Sequence, residues 1–190
     1  MSERAPRADA VRNRTRILDE ARTAFEREGV DVPLDSIAAA AGVGAGTVHR
    51  HFPTKDALVS AVIETRLTEM ADRVRVASGA SDPGSEFFVL LVELVESAGG
   101  NLALTEALAG ERPGPAVATA GARLSSELQV LLTRAQDVRA VRGDIDVPSL
   151  HALLSGAIHM RRLPGVKPEL VLDVIERGLA PGPGTDAEGE

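Results

Sequence analysis

Two short apolar-periodic segments, parted by a glycine and closed by a proline, constrain this chain more than any other feature. Leu34, Ile37, Ala38 and Ala41 recur at helical spacing and predict a short helix with one apolar face. Pro33 is tolerated because it falls in the first turn. Gly42 ends that helix, since a glycine just past the last periodic residue can take the left-handed conformation that closes it, and Val43 turns back into the core. A second helix follows at once, with Val48 and Phe52 four apart on its inner side and Ala45, Gly46, Thr47, His49, Arg50 and His51 facing outward. Pro53 stops it, and Thr54 caps a further helix with Lys55 and Asp56 in its first turn. Two short helices joined by a tight glycine turn are the sequence form of a helix-turn-helix, whose second helix is sparse enough to enter a DNA major groove.

Arg16-Ile17-Leu18, Ala21, Phe25, Gly29, Ile37-Ala38, Ala41-Gly42-Val43, Gly46-Thr47-Val48, His51-Phe52 and Lys55-Asp56-Ala57-Leu58 follow one another over the first third of the chain. At that spacing they resemble the TetR family of bacterial regulators. The chain departs from the family where it has Gly44 for a usual serine, His49 for a usual tyrosine, and no capping threonine near Val32 or Pro33. The first and third departures weaken helix caps. The second exchanges a phenol that commonly donates to a phosphate for an imidazole that can make the same contact.

Length and composition fit an all-α protein. A chain of 190 residues suits one or two small domains with a real core. Alanine, leucine, valine and arginine dominate and alternating β-branched runs are few. Without cysteine there is no disulfide framework, thiolate metal site or cysteine nucleophile. No apolar run reaches the roughly 18 residues of a membrane span, and the Arg-rich start lacks a secretory apolar stretch. These features predict a soluble cytoplasmic protein with no membrane partner. Four histidines, no cysteine and no glycine-rich phosphate loop followed by lysine argue against an enzyme and against any cofactor.

The net charge of −7 is unevenly placed: residues 1–66 hold ten basic and ten acidic side chains, so the excess acid lies in residues 67–190. Arg4, Arg7, Arg12, Arg14 and Arg16 outnumber Glu3 and Asp9 in the first sixteen residues. A basic arm ahead of the first helix can track phosphates, which supply affinity without sequence information. The expected organisation is therefore a helix-turn-helix DNA-binding domain over 1–66 with its basic arm, a helical domain over 67–180, and a disordered acidic tail over 181–190. Helices are expected at about 9–27, with Val11, Ile17, Leu18, Ala21 and Phe25 on the covering stripe, and at about 55–76, 85–98, 102–109, 115–139, 148–163 and 168–179.

The expected contacts to double-stranded DNA are Thr47 to a phosphate or a thymine methyl, Arg50 to guanine or phosphate, and His49 and His51 to phosphates. Lys55 joins backbone amides that can grip a phosphate, Arg12 and Arg14 belong to the arm, and Ala45 and Gly46 are small enough for close backbone approach. His49 and His51, two apart on a helix, point in different directions and make no metal pair. The resemblance implies that the helical domain holds a small-molecule effector, and that the fourth helix connects the domains. Phe87, Phe88, Leu91, Leu104, Leu108, Leu128, His151, His159 and Met160 are the residues to search for a pocket. It also implies a homodimer through a four-helix bundle, for which Leu150, Leu153, Leu154, Ala157, Ile158, Val171, Val174 and Ile175 supply surplus apolar surface. Two reading heads about 34 Å apart would meet a palindromic operator. The functional expectation is a repressor released by its effector; the alternative is a ligand- or protein-binding helical dimer that has lost operator binding.

Overall fold

The computed structural model describes residues 4–98, 114–161 and 163–182. Eight helices and no strand occur among them: α1 (Arg4–Glu28), α2 (Leu34–Ala40), α3 (Ala45–His51), α4 (Lys55–Ser78), α5 (Pro83–Ala98), α6 (Pro115–Asp137), α7 (Val147–Met160) and α8 (Pro168–Leu179). The all-α expectation holds. The helix expected at 102–109, most of the 181–190 tail, and the pocket candidates Leu104 and Leu108 lie outside the described residues. No helix among the described residues is long and apolar enough to cross a membrane. The chain divides into two compact units, residues 1–67 with 100–119 and residues 68–99 with 120–190.

In the first unit α1 buries Ile17, Leu18, Ala21 and Phe25 along one side, and Gly29 at φ +84° closes it by donating its N–H to the Phe25 carbonyl at 3.1 Å. α1 starts at Arg4, earlier than the spacing predicts, because Pro6 sits harmlessly in its first turn and no breaker follows. Arg12, Arg14 and Arg16 therefore project from a helix and do not form an arm ahead of it. Val11 is also corrected: it is 66% exposed, since the buried stripe begins only at Ile17. α2 buries Ile37 and Ala38. It closes at Gly42, φ +61°, where the Val43 N–H reaches back to the Ala38 carbonyl at 3.0 Å. Val48 of α3, Phe52, and Leu58, Ala61, Val62 and Ile63 of α4 complete this core, and Val117 joins it from α6. Arg66 and Glu26 link α4 to α1 at 3.4 Å.

The second unit is held by Phe87, Leu91 and Val95 of α5, Leu128, Leu131 and Leu132 of α6, and the inner faces of α7 and α8. Gly84 lies so close to the turn after α6 that a Cβ there would stand 2.4 Å from that of Ala140. α6 is closed by Arg139 at φ +57°, and the Ala140 N–H meets the Ala135 carbonyl at 2.9 Å. Left-handed geometry in an arginine costs roughly 1 to 2 kcal/mol. Gln136 secures that turn by donating to the carbonyls of Arg142 at 3.0 Å and Ile145 at 2.8 Å. The Arg142 N–H donates to the Leu179 carbonyl at 2.9 Å, tying the turn to the end of α8. Asp146 caps α7 by accepting from the Ser149 N–H at 2.8 Å, and hydrogen bonds from the Ser149 side chain and then its backbone hold the carboxyl below the usual carboxylate range.

Candidate nucleic-acid interface

α3 is a seven-residue helix whose inner side is Val48, fully buried, followed by Phe52, 3% exposed. Fixing those two inside fixes what faces out. Ala45, Gly46, His49 and Arg50 are exposed, and Thr47 and His51 are half-buried. The small residues leave room at the start of the helix: a Cβ on Gly44 or Gly46 would meet nothing within 4 Å. His49, Arg50 and His51 form the last turn, where the helix carboxyl end favours positive charge.

Neither Pro33 before α2 nor Gly44 before α3 makes a side-chain cap, as the sequence departures predict, whereas Thr54 Oγ1 accepts from the Ala57 N–H at 3.1 Å at the start of α4. Lys55 stands half-buried in that first turn. The capping hydroxyl occupies one amide and leaves others of the turn for a phosphate.

Two arginines of α1 are drawn to the motif. The Arg14 guanidinium lies over the Phe52 ring, 5.4 Å from its centroid, and the His51 ring sits beside the same phenyl at 6.2 Å with a 45° tilt. Arg16 reaches the turn between α2 and α3, where its Nη2 would be 2.6 Å from a Cβ on residue 42. Gly42 thus serves twice, closing α2 in a left-handed conformation and leaving space for this guanidinium. Arg16 counts in the expected basic arm but not among the individual contact residues, and its place at the turn depends on how α1 lies across the motif. Arg12 is ion-paired with Asp9, both well exposed, so the pair adds little to stability.

The described residues expected to line a pocket divide between the core of the second unit and its surface. Phe87, Leu91 and Leu128 are buried, and Phe88 is half-buried with its ring edge-on to Phe87 at 5.4 Å. His151, His159 and Met160 lie on the outward side of α7. A separate depression of about 560 Å³ is lined by Gln136, Arg139, Val141, Arg142, Gly143, Asp144, Pro181 and Gly182. Its Arg142 is held by both oxygens of Asp144 at 2.6 Å, which keeps that carboxyl below the usual range. Among the residues expected at a dimer face, Leu150, Leu154, Ala157, Val171 and Ile175 are buried within the protomer, Ile158 is half-buried, and Leu153 and Val174 are exposed.

Two family models match the chain: bacterial regulatory proteins of the tetR family over residues 17–62, and the C-terminal domain of SbtR-like transcriptional regulators over residues 82–181. The crystal structure of a TetR transcription regulatory protein from Mycobacterium vanbaalenii is 43% identical, covers 92% of this chain and 98% of its own, and superposes with a TM-score of 0.73. A TetR transcriptional regulator from Streptomyces coelicolor is 28% identical over 88% of this chain and 98% of its own, with a TM-score of 0.71. An HTH-type transcriptional regulator of Staphylococcus aureus is 35% identical over 89 residues, 46% of this chain and 47% of that protein, so the match spans about half the length of this curated relative.

Proposed function

Because the chain belongs to the TetR family of bacterial regulatory proteins, we propose that it is a cytoplasmic, homodimeric repressor that a small-molecule effector releases from a palindromic operator. The observation that carries this reading is α3, which buries Val48, leaves Ala45, Gly46, His49 and Arg50 exposed and Thr47 and His51 half-buried, and carries Arg50 and two imidazoles in its last turn. In the complex α3 lies in the major groove. Arg50 reads guanine or a phosphate, Thr47 meets a phosphate or a thymine methyl, and the close backbone approach falls at Ala45 and Gly46. His49, His51 and Lys55 take phosphates, with Arg12 and Arg14 adding backbone contacts from α1.

α7 and α8 pair with their mates through Leu153, Val174 and the accessible part of Ile158, in an isologous interface that spaces two reading heads for a palindrome. The effector occupies the helical domain, and its differential affinity for two arrangements, transmitted along α4, lowers operator affinity. A second reading, a helical dimer that no longer binds an operator, draws its support from the missing side-chain caps at Pro33 and Gly44.

Selection of bound sequences from a random duplex pool at near-physiological salt separates the two. Repression by this chain predicts an enriched palindrome with half-sites about one helical turn apart. A folded dimer that enriches nothing, with and without cell-extract metabolites, would transfer the assignment to the second reading.

A further inference from the structure

Two of the four histidines stand at positions 49 and 51, on either side of Arg50 in the last turn of α3. We infer that these imidazoles make DNA binding proton-linked: complex formation takes up protons at His49 and His51, so operator affinity rises as the solution is acidified through neutrality. The inference rests on the reading of α3 as the helix that enters the groove.

Imidazole is the side chain whose ordinary titration falls between about pH 5 and 8. DNA phosphodiesters stay ionised throughout that interval. His49 is exposed, and His51 is half-buried with one side toward Phe52. The charged neighbours on α3 itself and on the start of α4 are Arg50, Lys55 and Asp56, and α2 contributes only Asp35. On the adjoining stretch of α1, residues 9–20, the cations are Arg12, Arg14 and Arg16, and the carboxylates are Asp9, which pairs with Arg12, Asp19 and Glu20.

Among the described residues no carboxylate is ion-paired with either imidazole, and the Arg14 guanidinium shares the Phe52 ring with His51. A phosphate seated against the last turn of α3 therefore brings an anionic partner that the free protein does not supply. An anion within about 4 to 6 Å favours the protonated imidazole. Linkage then requires the reverse: protonation strengthens phosphate binding by the same factor.

The test uses the full chain and a duplex enriched from the random pool, with affinity measured by fluorescence anisotropy at pH 6, 7 and 8 and constant ionic strength. The expected result is an affinity that falls from pH 6 to 8 by up to roughly tenfold for each imidazole, the change that corresponds to one pKa unit. The slope of log affinity against log salt should also be steeper at pH 6, by up to about 0.9 for each additional neutralised phosphate. H49Y retains a phosphate donor that does not titrate below about pH 9, so it should keep affinity at pH 8 and lose part of the pH dependence; H51Q should lose the remainder. Titration calorimetry of the unaltered protein, in buffers of different ionisation enthalpy, counts the protons directly.

Proton uptake near zero, or a pH dependence unchanged in the H49Q/H51Q pair, overturns the proton linkage while leaving α3 as the reading helix. Failure to bind any duplex at any pH overturns both.

Discussion

α3 and the pair α7 and α8 dispose of their surfaces in opposite ways. α3 places Val48 inside, and Phe52 follows it into the core, so that a small polar and basic face remains. α7 and α8 bury Leu150, Leu154, Ala157, Val171, Ile175 and Leu179, yet Leu153 is 40% exposed and Val174 59%. A helix with a spare polar face is complete as it stands and free to meet an anionic ligand. Helices with spare apolar faces are short of cover, and a second copy of the same helices is the cover we propose.

Substitutions can break this contrast. The largest effect is expected inside α7: Leu150→Ala empties a fully buried site and should cost about 2 to 5 kcal/mol in urea unfolding. Next, L153K combined with V174K should raise the dimer dissociation constant on the order of a hundredfold, about 2.7 kcal/mol, as read by sedimentation, while far-UV circular dichroism stays helical. A monomeric unaltered protein, or a double variant that remains fully dimeric, would remove these helices from the interface. Gly84→Ala should cost about 1 to 3 kcal/mol because the new methyl lies in the space of the Ala140 side chain. The smallest change sharpens the other side: Gly44→Ser fills open space at the start of α3 in an extended conformation suited to a cap, and should gain a few tenths of a kcal/mol. A melting temperature that falls in G44S would show that the turn tolerates no hydroxyl there.

Local chemistry explains which parts are legible in the sequence. Gly42 in its left-handed conformation and Thr54 as a cap are each set by residues within a few positions and are read correctly from spacing; Pro33, expected in the first turn of α2, is instead the extended residue just before it, where its missing N–H costs the helix no bond. The outward face of α3 follows from Val48 and Phe52 for the same reason. Contacts between distant segments were not legible: Arg14 over Phe52 and Arg16 over Gly42 depend on how α1 lies across the motif. Periodicity showed that α7 and α8 are apolar but could not apportion Leu150 to the core and Leu153 to the surface, since both lie in one continuous pattern. Arg139 closes α6 in a left-handed conformation without a glycine, and the helix still ends close to the expected position of about 139.

We propose that sequence reading resides on the outward face of α3, while Lys55 and the arginines of α1 supply affinity to any duplex. Arg50→Ala, measured on the selected operator and on a scrambled duplex of equal length across a salt series, tests it most directly. The expected result is a loss of about 1 to 3 kcal/mol on the operator and little on the scrambled duplex. Equal losses on both would make Arg50 a phosphate contact and place base recognition elsewhere.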